Sequence, residues 1–231
     1  MRAHLVLDFD STMVTVESLD ELAAIALAGR SDRADVLARI RSITDAGMDG
    51  SMPIDQSLSR RLALLRFDRT MVERLITHLL STISPSLRAH EQDLREEAGR
   101  VWVVTSGFHE WIDPVVEALG IDRSHVCANR LLWSEDGVSL GLDPSSALAS
   151  PRSKPRAVRS LGLSGRVIAV GDGITDWEIR DDGAADEFIA MTETVARPTV
   201  VSRADLVASD FHAVMERWRS SDGHRPATTP G

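Results

Sequence analysis

The sequence predicts an α/β protein with a Rossmann-like parallel sheet, a helical cap inserted after the first strand and a small β-hairpin flap. The sheet is indicated by short apolar runs that stop abruptly at acids or glycines and are followed by segments with helical spacing. The cap is indicated by a gap of roughly 90 residues between the first two long runs, far more than one crossover helix needs.

Five apolar runs account for the predicted sheet. Strands buried on both faces of a parallel sheet are apolar throughout, so these runs lack the alternation of a half-exposed strand. Three of them are clear, and two shorter ones extend the sheet. The runs are HLVLDFD at 4–10, VWVVTSG at 101–107, RVIAVGDG at 166–173, EFIAM at 187–191 and DLVAS at 205–209.

The segment after the first run contains four groups of apolar residues at helical spacing. The groups are Leu19, Leu22 and Ala26; Val36, Ile40 and Ile43; Leu58, Leu62 and Leu65; and Met71, Leu75 and Leu79. Ser18 with Glu21 forms a capping-box pattern at the first helix, and Asp55 and Asp68 stand where the last two begin. We therefore predict a helical cap over residues 14–79.

The remaining segments complete the predicted domain organisation. An EDG turn between apolar runs predicts a β-hairpin or flap within residues 127–143. Residues 1–13 are expected to carry the first strand of the core, and residues 80–219 the rest of the Rossmann-like core. The polar segment 220–231 is predicted to be a disordered tail.

Composition and charge argue against several classes of partner. Of the 231 residues, 43% are hydrophobic and 26% charged, so the chain can bury a sizeable core. A formal net charge of -9 without a basic block argues against nucleic acid and anionic membranes as partners. A single cysteine, no long apolar window and early acids at the N-terminus are typical of a cytoplasmic protein. We expect a monomer or a homodimer.

Four acids and a threonine stand where predicted strands end. Asp8 and Asp10 follow the first run, Thr105 lies in the second, and Asp172 and Asp176 belong to the segment GDGITD. Ligands of open α/β sheets bind outside the carboxyl ends of the strands. Four carboxylates that converge there would repel one another unless a hard cation sits among them. Mg²⁺ fits, because it prefers oxygen ligands.

A cation beside carboxylates suggests phosphoryl chemistry. Thr105 can donate a hydrogen bond, and Lys154 a positive charge, to phosphoryl oxygens. Asp8 can attack phosphorus, and Asp10 can protonate the leaving alkoxide. Lys154 is notable because it is the one lysine among 26 basic residues. Each feature alone has an ordinary structural explanation as a helix cap, a turn or a surface charge, but their joint order along the chain favours chemistry.

DFDST, TSGF, Lys154 and GDGITD resemble the four motifs of the haloacid dehalogenase superfamily of phosphatases, with a helical cap after the first strand. The resemblance extends over about residues 4–218. Within this superfamily the chain is similar to the phosphoserine phosphatase family through DFDSTMVTVESLDELA, QSLSRRLALL and ANRLLW. The resemblance implies a Rossmann-like core of the haloacid dehalogenase type and a small phosphorylated metabolite, O-phosphoserine, as the substrate.

The resemblance also implies roles for individual residues. Asp8 corresponds to the nucleophile, Asp10 to the acid and base, and Thr105, Ser106 and Lys154 to the phosphate-binding residues. Ser106 stands where the family usually has glycine.

The implied metal ligands are four aspartates around one Mg²⁺ ion. Asp8 and Asp172 would bind it directly, Asp10 would lend its backbone carbonyl, and Asp176 would support it through water.

The implied substrate-binding residues come mostly from the cap. Glu17 would meet the substrate amine and Arg61 its carboxylate, while Met48 and Ile54 would provide an apolar lining.

Other functions fit parts of the same pattern. The site would also serve a phosphatase for another small phosphomonoester, or a phosphotransferase that uses a small alcohol as acceptor. A phospho-accepting signalling domain gathers similar residues around Mg²⁺, but it lacks a large cap after its first strand. A catalytically silent binding module would have no need of Asp8 and Asp10 together.

Overall fold

The computed structural model describes residues 2–221. Its main sheet has six parallel strands, and a separate pair of strands is antiparallel. The strands are β1 (His4–Leu7), β2 (Val101–Phe108), β3 (Val126–Asn129), β4 (Leu131–Trp133), β5 (Ser139–Leu142), β6 (Val167–Gly171), β7 (Glu187–Met191) and β8 (Leu206–Ala208). The order in the main sheet is β3-β2-β1-β6-β7-β8, which confirms the predicted Rossmann-like core.

Helices cover both faces of the sheet and form the cap. They are α1 (Ser18–Ala26), α2 (Arg33–Met48), α3 (Ile54–Leu62), α4 (Arg69–Ser81), α5 (Pro85–Ala89), α6 (Glu91–Glu96), α7 (His109–Ala118), α8 (Ser153–Ser160), α9 (Ile174–Asp181), α10 (Pro198–Val201) and α11 (Phe211–Ser221). Within residues 2–221, no helix is long and apolar enough to cross a membrane.

Alternating residues of the sheet build two apolar layers. Leu5 and Leu7 of β1 pack in the layer that includes buried side chains of α7 and α11. Val6 faces the opposite layer, which includes Val158 of α8 and Ile179 of α9. Successive side chains of a strand point to opposite faces, so a strand covered on both sides must be apolar throughout. This explains why the central strands appear as continuous apolar runs.

The cap consists of α1 to α4, which follow β1 in the chain. α2 packs against both α1 and α3, and α4 packs against α1 and against α7 of the core. A small apolar cluster inside the cap joins Ala23 and Leu27 of α1 to Leu37 and Ile40 of α2. The helices form because each presents an apolar face at helical spacing, which has nothing to bury against except its neighbours.

The predicted helix caps are only partly correct. Asp68 caps α4, and its carboxylate accepts a hydrogen bond from the Met71 amide at 2.9 Å. The predicted capping box of Ser18 and Glu21 is absent, because Glu17 occupies the N-cap position and Ser18 lies inside the helix. Asp55 is not a cap either, since Pro53 precedes the first turn of α3.

The segment predicted as a hairpin divides between two sheets. Val126–Asn129 joins the edge of the main sheet beside β2, and only β4 and β5 form the antiparallel flap. The flap is tied to the cap where the Ser139 amide donates to the Phe67 carbonyl. At the C-terminus α11 continues through Ser221, two residues into the predicted tail, and residues 222–231 lie outside the described residues.

Candidate active site

Three neighbouring strands bring the predicted motifs to one edge of the sheet. Leu7 of β1 pairs with Val103 of β2 and with Val170 of β6, so the ends of these strands lie side by side. Asp8 follows β1 directly, and Asp172 follows β6 directly. The chain leaves β1 and β6 in different directions, and the crevice at such a switch point is the usual binding position of this architecture.

Three buried carboxylates cluster at this edge around one ammonium. Oxygens of Asp8, Asp172 and Asp176 lie within 4.8 Å of one another. Lys154 Nζ donates to Asp8 Oδ1 at 2.8 Å and to Asp176 Oδ1 at 2.6 Å, and its side chain is only 2% exposed. The fit is close because Gly171 has no side chain: a Cβ there would collide with the Asp176 carboxyl group.

The cluster holds more negative charge than its lysine neutralises. Burial raises the pKa of Asp176 to about 7. The negative charge of Asp8 adds to this rise, and the positive charge of Lys154 opposes it. Burial and the charges of Glu17 and Asp8 hold the pKa of Asp172 well above its usual range. Burial alone would lower the pKa of Lys154, but the attraction of Asp176 and Asp8 outweighs it and raises that pKa.

The cluster fits a divalent cation with oxygen ligands. Asp172 Oδ1 is buried and has no hydrogen-bond partner among residues 2–221. An unpartnered buried carboxylate oxygen costs free energy unless a cation or a water meets it. The other oxygen of Asp172 is already taken, since Arg197 Nε donates to Oδ2 at 3.1 Å. The free oxygen of Asp172 and the neighbouring carboxylates of Asp8 and Asp176 are the donors that a hard cation prefers.

The carboxylate of Asp10 lies apart from this cluster. It accepts hydrogen bonds from the Ser18 amide at 2.9 Å and from the Ser18 hydroxyl at 3.0 Å. The Ser18 hydroxyl in turn accepts from Trp111 Nε1 at 2.9 Å, so the network fixes the carboxyl group at the start of α1. Burial and the charges of Glu17 and Asp8 hold the pKa of Asp10 well above its usual range. A carboxyl group with a raised pKa can act as a proton donor near neutral pH.

The end of β2 offers hydroxyl groups to the same edge. The Gly107 amide donates to the Thr105 hydroxyl at 3.1 Å, which leaves the threonine proton available. The Ser106 hydroxyl is buried without a partner among the described residues. Asn129 of β3 fixes this end of β2, because its amide Nδ2 donates to the Ser106 carbonyl at 2.8 Å. Sequence reasoning did not single out Asn129 as an individual residue, although it lies in ANRLLW.

A cavity of about 420 Å³, open mouth included, lies between the cap and the core. Nine residues predicted for catalysis, phosphate binding or substrate binding line it together. They are Asp8, Asp10, Glu17, Met48, Ile54, Arg61, Thr105, Ser106 and Lys154. Asp172 and Asp176 are not among the lining residues, since they lie buried in the acidic cluster.

Glu17 is held at the entrance of α1 by a residue in an unusual conformation. Ser11 has a φ of 53°, in the left-handed region, and its hydroxyl donates to Glu17 Oε1 at 2.7 Å. Burial raises the pKa of Glu17, while the bond from Ser11 and the charges of Arg61 and Arg197 oppose the shift.

Arg197 is a residue of this site that sequence reasoning missed. It lies between β7 and α10, and its guanidinium meets acids from three other elements. Besides the bond to Asp172, Nη1 lies 3.3 Å from Asp45 of α2 and Nη2 lies 3.9 Å from Glu17. Arg197 thus links the cap to the acidic cluster. Its position soon after the run EFIAM, at the same edge of the sheet, was the one signal available.

Residues 5–179 match the family described as haloacid dehalogenase-like hydrolase, which is more than half of the chain. The chain belongs to the haloacid dehalogenase-like hydrolases.

Three individual proteins show what the chain is similar to within this family. The chain is 31% identical over 211 residues to the chloroplastic phosphoserine phosphatase of Arabidopsis thaliana, covering 90% of this chain and 69% of that protein. A solved phosphoserine phosphohydrolase-like protein from Francisella tularensis superposes with a TM-score of 0.84 at 28% identity, covering 94% and 99% of the two chains. A phospho-aspartyl intermediate analogue of phosphoserine phosphatase gives a TM-score of 0.77 at 25% identity, with the same coverage.

Proposed function

We propose that this protein is a Mg²⁺-dependent phosphatase that hydrolyses O-phosphoserine through an aspartyl phosphate on Asp8. The observation that carries the proposal is the composition of one cavity. Asp8 and Lys154 lie side by side in this cavity. Its lining also includes one acidic and one basic side chain, Glu17 and Arg61. The phosphoserine phosphatases among its relatives support the choice of substrate.

In the first half-reaction an oxygen of Asp8 attacks phosphorus. The bond between phosphorus and the serine oxygen breaks, and the Asp10 carboxyl group gives its proton to that oxygen, so serine leaves as the alcohol. In the second half-reaction Asp10 takes a proton from water while the water oxygen attacks phosphorus. The bond to Asp8 breaks, and inorganic phosphate leaves. The raised pKa of Asp10 suits a group that is protonated at the start of this cycle.

Charge on the transferring group must be stabilised by fixed donors. Lys154, Thr105 and Ser106 line the cavity, and their ammonium and hydroxyl groups would be these donors. Asp8, Asp172 and Asp176, with the carbonyl of Asp10, would hold Mg²⁺. Bound there, Mg²⁺ supplies positive charge that offsets the repulsion between the carboxylates and the phosphoryl oxygens.

Recognition of the amino acid would use the cap side of the cavity. Glu17 can accept hydrogen bonds from the substrate ammonium, and the Arg61 guanidinium can donate a charge-assisted hydrogen bond to its carboxylate. Met48 and Ile54 line the cavity and would exclude water beside the short aliphatic backbone of the substrate. The cap would close over the bound substrate and so act as a lid.

The test is phosphate release from three related substrates, with Mg²⁺ or with EDTA. O-phosphoserine carries both charged groups, O-phosphoethanolamine lacks the carboxylate, and 3-(phosphonooxy)propanoate lacks the amine. We expect Mg²⁺-dependent turnover that is fastest for O-phosphoserine. Arg61→Ala should raise KM only for the substrates that carry a carboxylate. Glu17→Gln should raise KM only for the substrates that carry an amine. Equal losses on all three substrates would contradict these recognition roles. Measuring phosphorylated alcohol in the presence of a small alcohol acceptor separates hydrolysis from phosphotransfer.

A further inference from the structure

Arg61 carries a charge that the cap has largely removed from water. Its side chain is 6% exposed, although it lines the cavity. Its Nε donates to the Ser57 carbonyl at 3.4 Å, and its Nη1 donates to the Thr44 hydroxyl at 3.1 Å. Nη2 is the one guanidinium nitrogen without an acceptor among residues 2–221. A buried cation needs well-placed partners, so what fixes this guanidinium decides what it can bind.

The chemistry of the three groups fixes which one donates in the hydrogen bonds from Arg61 to Thr44 and from Thr44 to Asp20. The Thr44 hydroxyl lies 2.7 Å from Asp20 Oδ1 and also 3.2 Å from the Ile40 carbonyl. Arginine can only donate, an ionised carboxylate can only accept, and a hydroxyl has one proton. Thr44 therefore accepts from Arg61 and gives its proton to Asp20, the closer acceptor. The result is a chain of donors that runs from the guanidinium through the hydroxyl to the carboxylate.

This chain joins three helices of the cap, and Arg61 is the one of its three residues that lines the cavity. Asp20 belongs to α1, Thr44 to α2 and Arg61 to α3. Neither Asp20 nor Thr44 lines the cavity, and Thr44 is only 2% exposed. Asp20 Oδ1 lies 3.9 Å from Arg61 Nη1, so the same carboxylate also balances the charge of the guanidinium. Burial raises the pKa of Asp20, and the bond from Thr44 and the charge of Arg61 oppose the shift.

We propose that Asp20 and Thr44 are positioning residues that hold Nη1 of Arg61 on the protein side, where the Ser57 carbonyl holds Nε, and so leave Nη2 for an anionic ligand. The ligand class is a small phosphomonoester with a carboxylate, so the inference rests on the proposed function and deepens it. A directed bond from Nη2 to a carboxylate requires the guanidinium plane to be fixed, and the threonine hydroxyl fixes it. Selectivity for a carboxylate thus depends on two residues that never touch the substrate.

The test compares substitutions at Thr44 that keep or remove the hydroxyl. Thr44→Val keeps the volume and removes the hydroxyl, while Thr44→Ser keeps the hydroxyl. Thr77→Val is the matched control, because Thr77 is an exposed residue of α4 in the same cap. KM and kcat are measured for O-phosphoserine and for O-phosphoethanolamine, which also shows that each variant is folded.

We expect Thr44→Val to raise KM for O-phosphoserine about tenfold, on the order of one hydrogen bond to a charged group. KM for O-phosphoethanolamine and kcat for both substrates should change by less than about twofold, because the reacting atoms are untouched. Thr44→Ser should retain the selectivity of the wild type, and Asp20→Asn should raise KM for O-phosphoserine in the same direction as Thr44→Val.

Four results would overturn the proposal. The first is that Thr44→Val leaves KM for O-phosphoserine unchanged, and the second is that it raises KM equally for both substrates. Thr44→Ser could lose selectivity as fully as Thr44→Val. Asp20→Asn could lower KM for O-phosphoserine, which would make Asp20 a competing anion. If Arg61→Ala changes selectivity and Thr44→Val does not, the proposed function stands and this inference alone fails. If neither the wild type nor Arg61→Ala distinguishes the substrates, both fail.

Discussion

Removing divalent cations should leave this protein more stable at mildly acidic pH than at mildly alkaline pH. The reason is the acidic cluster, in which the pKa values of Asp10, Asp172 and Asp176 are all raised. Burial is the largest cause in each case, and repulsion between the acids adds to it. Without a cation, the folded protein therefore favours protonated carboxyl groups that the unfolded chain would ionise.

The sign and size follow from Asp176. Its pKa rises from 3.8 in the unfolded chain to about 7 in the folded protein. Between these values the folded state binds more protons, so the free energy of unfolding falls as pH rises. At about pH 5.5 Asp176 alone stabilises the fold by about 2 kcal/mol, and by about pH 8 that contribution is gone. Asp10 and Asp172 act in the same direction.

The assay is urea unfolding in EDTA, followed by the fluorescence of the buried Trp111 and Trp218. Asp176→Asn is the control, because it removes the contribution of Asp176 and should reduce the fall between about pH 5.5 and pH 8 by about 2 kcal/mol. With saturating Mg²⁺ the dependence should change, since a cation needs ionised ligands and stabilises more as pH rises. Stability in EDTA that rises over this range, or a Mg²⁺ effect independent of pH, would refute the reasoning.

Three further substitutions test other parts of the site. Asp10→Asn should slow hydrolysis of alkyl phosphates about 10²–10⁴-fold, because the amide cannot protonate the leaving oxygen. Activated aryl phosphates should suffer much less, and an equal loss would count against the acid role. Lys154→Arg should lower kcat about tenfold or more, because a planar guanidinium does not fit between Asp8 and Asp176; unchanged kcat in the folded variant would remove Lys154 from the site. Arg197→Gln should weaken Mg²⁺ binding about 10–100-fold in calorimetry, because Arg197 orients Asp172. Unaltered affinity would limit Arg197 to a structural contact.

The grouping of the candidate site residues could be predicted from the sequence because they occupy defined places on buried strands. Asp8, Thr105 and Asp172 stand at the ends of apolar runs, and parallel strands bring such ends to one edge of the sheet. Lys154 was found for a different reason, namely that a chain with 25 arginines has one lysine. Both signals can be read from local sequence and composition without knowing the tertiary contacts.

The residues that support the site could not be predicted, because their partners come from distant segments. Arg197 meets Asp172, Asp45 and Glu17, and only its position soon after the run EFIAM distinguishes it from the other arginines. The capping box at Ser18 was wrong for a related reason. Glu17 takes the N-cap position, and the Ser18 hydroxyl instead accepts from Trp111 Nε1 and donates to the Asp10 carboxylate, which are partners that a local pattern does not reveal.

The central claim is that Asp8 becomes phosphorylated during turnover, and chemical trapping tests it most directly. The wild-type protein is mixed with O-phosphoserine and Mg²⁺, quenched in acid within the first turnover, and treated with borohydride, which reduces an acyl phosphate to an alcohol. Mass spectrometry of the peptide that contains Asp8 should then show reduction of that side chain to the alcohol. Full phosphate release with no reduction at Asp8, or with reduction at another residue, would contradict the account.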